Sequence, residues 1–489
     1  MSRILSVVWV LLWSNVSSFA QTVTVQWEKV QSVNKTIPTL QIPVSPALRP
    51  GSSVAKRAYA EVTRLGVDYA RYMPWMPFPK LSVAELEPPG DGKTSWDFSL
   101  IDPMMEDFLK ATTGHPVIVN FSTTPQWMWV TPQPVPYPRD PNEVTWTYTQ
   151  GTELRDPSCG ELADYYGRLA GWYVNGGFTD EYGKRHESGH HFDITYWEIL
   201  NEPDFFSHIM SPEEYTRCYD SITTEIKKVA PKAKFVGLVL AQPSDNPRMF
   251  EYFLNPANHK AGVPLDMIAY HFIAVPTADQ TPEIKQFTFF EQADGFVTTA
   301  RYIEEIRKRL SPTTRIAVDE IGAFLVEDLE PGRVTGPVPD SHWSLAGAVY
   351  AYVFGRLAAL GIDVANEVGL VWYPAHFAGL SMVDWNTGAP NARFRVLELL
   401  KGSFHPGDKL VNTAIDTPLV YALGYVGQTG DHKLLLVNKR DHPIEVSLPE
   451  SAKKVEFVDQ TTKSDPPVKR TVNNSKYMLG GYGVAVLSF

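Results

Sequence analysis

The stretch Tyr196-Trp-Glu-Ile-Leu-Asn-Glu-Pro-Asp204 carries an apolar, β-prone run straight into a turn and leaves a carboxylate, Glu202, just past its end. Taken alone, these residues are accounted for by a plain strand-to-helix turn, because Asn and Pro both favour turns. A second stretch changes the balance: Arg315-Ile-Ala-Val-Asp-Glu-Ile-Gly322 again runs an apolar segment into a carboxylate, Glu320. Cleaving a glycosidic bond takes two such groups. One is held protonated to give a proton to the leaving oxygen, and the other stays ionised to attack or stabilise the oxocarbenium-like carbon.

Outward from these two stretches, between about residues 37 and 400, short apolar β-rich runs alternate with longer amphipathic ones, the signature of repeated βα units around a parallel sheet. Strands are predicted at 38–43, 67–72, 116–122, 194–200, 234–240, 267–272, 315–319 and 369–373. Helices are predicted at 54–65, 103–113, 161–174, 212–229, 296–310 and 344–360, most with apolar residues at three-to-four spacing. The expected fold is an α/β (β/α)8 TIM barrel over 21–402. After Lys401 the pattern shortens to alternating runs at 433–437, 444–448, 454–458 and 483–489, which predicts an antiparallel β-sandwich over 403–489. The early run at 22–30 can join either domain. The irregular stretch 123–158, dense in Pro, Trp, Tyr and Thr, follows the third strand and is expected to shape the mouth of the site.

A chain of 489 residues suits a large barrel plus one smaller domain. Its net charge of -11 argues against a nucleic-acid partner, which needs a surplus of Lys and Arg on one face. Residues 1–20 read as a secretory signal: Arg3 starts it, 4–13 are apolar, and Ser18-Phe-Ala20 offers a cleavage site after Ala20. Export is therefore expected. No stable membrane span is expected, since about ten apolar residues fall short of the roughly twenty that cross a bilayer. Cys159 and Cys218 are the two cysteines, and an oxidising compartment permits a disulfide between them without demanding it. Sequons begin at Asn34, Asn120 and Asn473, with Asn120 in a predicted buried strand.

Barrel enzymes place their reacting groups at the C-terminal rim of the strands, so Asn201 and Glu202 after the fourth strand and Glu320 after the seventh should face one pocket. Asn201 can bond a sugar hydroxyl next to the reacting carbon. Tyr270 and His271 end the sixth strand, within reach of Glu320 or a hydroxyl. Arg71 ends the second, where it can bond a carboxylate, meet a substrate oxygen or form a salt bridge within the barrel. Trp372 ends the eighth and is placed to stack on a sugar ring. Trp127, Trp129 and Trp385 can stack likewise or simply pack within loops. Strand alternation implies that only one of Asp319 and Glu320 faces the pocket. His186-Glu-Ser-Gly-His190 matches a zinc metalloprotease pattern, but that motif needs a helix and its glycines mark a polar loop.

The pattern resembles clan A glycoside hydrolases, and within them looks most like family 39, which contains β-xylosidases and α-L-iduronidases. Trp197-Glu-Ile-Leu-Asn-Glu-Pro-Asp204 is close to that family's acid/base motif, and Gly379-Leu-Ser-Met-Val-Asp-Trp-Asn-Thr-Gly388 looks like its stretch after the eighth strand. By that resemblance Glu202 is the acid/base and Glu320 the nucleophile of a retaining hydrolase, with carboxyl groups about 5 Å apart and neither metal nor cofactor. The substrate is then a carbohydrate or glycoside. Asp319 departs from the pattern, standing where a small hydroxyl residue is common. A non-catalytic carbohydrate-binding barrel and a transglycosylase are the alternative readings.

Overall fold

The computed structural model describes residues 21–75, 77–145, 153–205, 209–330, 332–372 and 374–489, so the signal-like segment lies outside the described residues. The chain opens with β1 (Gln21–Val33). There follow β2 (Ile37–Pro43), β3 (Ala70–Met73), β4 (Val117–Asn120), a side hairpin of β5 (Gly177–Thr179) and β6 (Arg185–Glu187), β7 (Tyr196–Glu198), β8 (Lys234–Leu240), β9 (Met267–Ala274), β10 (Arg315–Ala323) and β11 (Val364–Glu367). All of these except β1 and the hairpin pair in parallel and close an eight-stranded barrel in the order β2-β3-β4-β7-β8-β9-β10-β11.

The helices α1 (Ser53–Leu65), α2 (Pro79–Ser82), α3 (Asp102–Ala111), α4 (Gly160–Val174), α5 (Pro212–Val229), α6 (Pro247–Phe253), α7 (Pro282–Leu310), α8 (Asp340–Leu360) and α9 (Ala392–Ser403) occupy the connections. Their ends follow from local chemistry. Ser52 accepts from the first amides of α1, and Ser211 with Glu214 forms a capping box ahead of Pro212 at the start of α5.

Alternation along each strand sorts the side chains. On β7, Tyr196 and Glu198 point into the barrel while Trp197 joins the apolar layer under the helices. The lower interior is filled by Ile118, Tyr196, Val236, Met267, Ala269, Ala317 and Val364. It is a packed core and no channel.

The eighth strand is corrected from 369–373 to Val364–Glu367. Beyond it the chain turns at Gly369, where a Cβ would lie 2.3 Å from the Trp372 indole nitrogen, so the residues expected to be strand instead fold Trp372 back over the barrel mouth. Tyr373 lies outside the described residues. The 21–402 boundary is also corrected: β1 pairs with β12 (Lys409–Ile415) and touches β15 (Ile444–Val458), so it belongs to the C-terminal sheet.

That sheet runs β1-β12-β13-β14-β17-β15-β16, with β13 (Val420–Val426), β14 (His432–Asn438), β16 (Val468–Leu479) and β17 (Val484–Ser488), and curls until β1 meets β15. Leu434, Leu436, Ala485 and Leu487 fill the space inside the curl. Their neighbours Leu435, Val437, Val484 and Val486 join the barrel's core beside α8 and α9.

The position of α8 explains its composition. It is the one helix among the described residues long and apolar enough to cross a membrane, yet 78% of that apolar window is buried, because barrel strands cover one side and the sheet domain another. Of the three sequons, Asn34 and Asn120 are buried and bonded while Asn473 is exposed on β16.

Cys159, at the start of α4, is disulfide-bonded to Cys218 within α5, with their Cα atoms 5.1 Å apart and the two residues 59 positions apart in the chain. Closing a loop of that length is expected to contribute about 2–4 kcal/mol. The Cys159→Ser/Cys218→Ser double variant should therefore show a lower urea midpoint, and an unchanged midpoint would mean that the bridge does not form in the purified protein.

Candidate active site

The barrel's C-terminal mouth holds a cavity of about 410 Å³ lined by Asn201, Glu202, His271, Glu320 and Trp372, five of the residues singled out in the sequence. They reach it by different local routes. After β7 the backbone enters the left-handed region at Leu200 (φ 61°) and again at Glu202 (φ 51°), unusual for residues with side chains. Neighbours hold this turn: Asn120 Nδ2 donates to the Leu200 carbonyl at 2.9 Å, the Glu202 amide donates to the Val239 carbonyl at 3.0 Å, and Asp204 accepts from the amides of Ala241 and Gln242.

On β10 the device is a β-bulge. Val318 pairs with Tyr270 and Glu320 with His271, leaving Asp319 as an extra residue. The expectation that alternation sends Asp319 and Glu320 to opposite sides is corrected here, since the bulge turns both inward. Glu320 reaches the cavity. Asp319 lies a layer lower, 3.3 Å from Arg71 and 3.4 Å from His271.

Beneath the cavity floor Arg71 is fully buried. Its Nε donates to Glu198 at 2.5 Å, Nη1 to Glu320 Oε1 at 2.6 Å and Nη2 to Asn201 Oδ1 at 2.7 Å. Gln41 Nε2 adds a second donor to Glu320 Oε1 at 2.7 Å. Arg71 therefore forms the carboxylate bonds and barrel salt bridge that the sequence left open to it, and because it lies beneath the cavity lining its placement as a substrate-binding residue is corrected to that of a positioning residue. Because a guanidinium can only donate, Asn201 must turn its oxygen toward it and its NH2 group toward the cavity.

Titration in this cluster follows from burial and from these charges. Burial, the largest single effect, would raise Glu198, but the Arg71 charge together with hydrogen bonds from Asp319, Arg71 and Asn120 outweighs it and holds Glu198 below its ordinary value. Asp319 goes the other way: burial and the Glu198 charge push it well above the usual carboxylate range, so the proton the two share sits on Asp319. Burial also raises Glu202. His271 is opposed by burial, but Glu320, Asp319 and Glu202 together raise it to about 9. Its Nδ1 lies 3.0 Å from Glu202 Oε1 and 3.7 Å from Glu320 Oε2.

A carboxylate oxygen of Glu202 and one of Glu320 lie within 4.8 Å of each other, with His271 at the same spacing. Three such atoms could also converge on a cation, but Arg71 and a protonated His271 already bring positive charge to them.

The remaining sequence candidates fall elsewhere. Trp372 is buried over the cavity beside Trp75, with its indole nitrogen turned against Gly369. Tyr270 is corrected: it points out of the barrel and packs against Phe250 and Phe296. Trp127 is corrected as well, its N–H donating to the Glu85 carbonyl at 3.0 Å and its ring lying under Arg155. No described residue of 123–158 lines the cavity. His186 bonds Asp180 from β6 and His190 bonds Asp102, so the zinc-like motif is neither helical nor convergent.

Sequence reasoning passed over Gln41, Glu198 and Trp75. Gln41 and Glu198 carried one usable signal, a polar residue inside an otherwise apolar strand.

No protein-family model matches the sequence, and no curated protein is detectably similar to it. Solved structures share the fold. A GH51 arabinofuranosidase from Xanthomonas axonopodis pv. citri matches with a TM-score of 0.64 at 12% identity, over 96% of this chain and 99% of that one. An α-L-arabinofuranosidase from Thermotoga maritima gives 0.63 at 14% identity over 96% and 100%. A GH30 endoxylanase from Clostridium papyrosolvens C71 gives 0.59 at 14% identity over 96% and 99%.

Two stability measurements test the buried cluster. Arg71→Met strands carboxyl groups without their cation and is expected to cost about 3–5 kcal/mol, whereas Asp319→Asn replaces an already neutral group and should stay within about 1 kcal/mol. Equal losses would overturn the protonation assigned to Asp319. His271, raised in the folded state, contributes stability that is complete below its unfolded value of about 6.5 and is lost as pH rises through about 9. The urea midpoint should fall across that interval in the wild type and flatten in His271→Asn.

Proposed function

We propose that this protein is a secreted retaining O-glycoside hydrolase in which Glu202 is the acid/base and Glu320 the nucleophile. The observation that carries the reading is the pair of glutamates at the barrel mouth, with oxygens within 4.8 Å of each other. That separation suits direct attack by one carboxylate on the sugar carbon, while inverting enzymes hold theirs about 6.5–9.5 Å apart to admit a water.

The surroundings of the two groups divide the roles. Glu320 Oε1 accepts from Arg71 and Gln41, leaving Oε2 to form the bond to the anomeric carbon. Glu202, shifted upward by burial, gives its proton to the departing oxygen. The resulting carboxylate is stabilised by the hydrogen bond from His271. In the second step Glu202 takes a proton from water, the water oxygen attacks the anomeric carbon, and the ester to Glu320 breaks with net retention. The NH2 group of Asn201 supplies donors to a sugar hydroxyl.

The finer assignment, a family 39-like enzyme, rests on the motifs at 197–204 and 379–388. Between the two activities of that family, the β-xylosidase type is favoured over the α-L-iduronidase type. A uronate needs a facing cation, but no Lys or Arg is among the described lining residues, the charge of His271 is met by Glu202 and Glu320, and Arg71 is sealed beneath the floor. Export is supported by the signal-like sequence at 1–20 and by the Cys159–Cys218 bond, which persists in oxidising compartments.

A panel of nitrophenyl glycosides identifies the sugar, and NMR of the first-formed product gives its anomeric configuration. Glu320→Gln should lower kcat by roughly 10^4-fold or more. Glu202→Gln should lower it by about 10^2- to 10^4-fold, with a smaller loss on dinitrophenyl glycosides, whose leaving groups depart without a proton. An inverted product, or full activity in Glu320→Gln beside loss in Asp319→Asn, sinks the assignment.

A further inference from the structure

Past the two glutamates the cavity changes character. On the side formed by the ends of β8, β9 and β10 its wall is Phe205, Ile273, Val275, Phe324 and Leu329. Phe324 stacks on Phe377 at 5.1 Å, and both pack with Ile273 against the cluster of Met73, Trp75 and Trp372. Among the described residues two polar side chains interrupt this wall, Gln242 and Asp328, and Asp328 spends its carboxylate on the amides of Leu325 and Gly379.

The apolar surface continues outward. Val275 is 37% exposed and Leu329 40%. Large aliphatic side chains left in water at the rim of a reaction site, continuous with an apolar wall inside it, mark a surface that a ligand covers.

Resting on the glycosidase reading, we propose that the leaving group of the natural substrate is apolar: the site takes a glycoside whose aglycone is an alkyl chain, laid against Phe324, Val275 and Leu329 at the ends of β9 and β10. Glu202 stands on the β7–β8 side of this wall, where the departing oxygen receives its proton, so the wall lies where the leaving group lies. A second sugar ring there would press hydroxyls against Ile273, Val275 and Leu329, which offer no partners for the hydrogen bonds those hydroxyls give up with water. These three residues are aliphatic and lack the flat face that stacks on a sugar, and Phe324 already stacks one ring face on Phe377. An alkyl chain loses no hydrogen bond there and removes the exposed apolar surface from water. The reaction is unchanged: the alcohol departs with the proton of Glu202, and water completes the hydrolysis.

The test uses the full chain and the sugar that the nitrophenyl panel identifies, as its methyl glycoside, its octyl glycoside below the micelle concentration, and a disaccharide with the same non-reducing sugar. The octyl glycoside is expected to exceed the methyl glycoside at least ten-fold in kcat/KM, the yield of about two buried methylene groups. The octyl-to-methyl ratio should drop several-fold in Val275→Asp and in Leu329→Asp, whose exposed positions tolerate the charge. A ratio near one in the wild type, ratios unmoved by both variants, or a disaccharide cleaved faster than the octyl glycoside overturns this inference and leaves the glycosidase reading standing. Folded protein that hydrolyses no glycoside of any sugar overturns both.

Discussion

A single buried guanidinium sets the terms for the upper half of the barrel. Arg71, wholly inside, binds Glu198 on β7, Glu320 on β10 and Asn201 beyond β7 from its own position on β3. A closed barrel gives inward side chains no route to water, so a charge there must be matched by its neighbours. The match is made with protons as well as with geometry. Four carboxyl groups crowd two cations, and Asp319 answers by keeping its proton while Glu198 gives its up. Shared hydrogen bonds then leave the Glu320 carboxyl and the Asn201 amide little freedom to reorient, and pre-set groups of this kind lower the reorganisation needed during reaction.

The two glutamates depend equally on irregular backbone. A regular β10 would have sent one of Asp319 and Glu320 outward into the layer where Val318 packs, and a regular exit from β7 would not have turned Glu202 toward its partner. The bulge at Asp319 and the left-handed residues at 200 and 202 produce the juxtaposition, and the surrounding hydrogen bonds hold both departures in place. Irregular backbone at a functional site and regular strands everywhere below it is the division of labour expected when the lower barrel supplies stability and the rim supplies chemistry.

Above this polar floor the cavity is largely apolar, and the contrast divides the substrate into two parts. In the proposed reading the sugar faces Asn201, Trp372 and the carboxyl pair, while its leaving group faces branched aliphatic and aromatic side chains. The rest of the chain serves to hold that mouth rigid. The Cys159–Cys218 bond ties the start of α4 to the middle of α5, the helix that follows the loop carrying Glu202, and Tyr215 on α5 donates to the Ile199 carbonyl just before Asn201. The sheet domain covers α8 and α9 on the opposite flank, which is why α8 carries apolar residues around its whole circumference.

Much of this was legible in the chain itself. The two apolar runs ending in glutamate, the repeated βα pattern and the change of period after residue 401 determined the barrel, its accessory sheet and the Glu202–Glu320 pair, because the period of side chains along a strand or helix is local and survives without knowledge of partners. His271 and Trp372 were found by the same rule, as polar or aromatic residues at strand ends. Tertiary structure alone decided the rest. Tyr270 and His271 are adjacent in sequence, and which of them enters the barrel depends on register with β10. Arg71 reads as a ligand-binding residue until three strands close around it. The β1 strand joins the C-terminal sheet because its hydrogen-bonding partners lie nearly four hundred residues away, a pairing that no local pattern encodes. Side-chain period is written residue by residue, whereas register, bulges and the partition of protons among buried acids exist only once distant strands are brought together, since each depends on charges and hydrogen bonds that the extended chain does not yet possess.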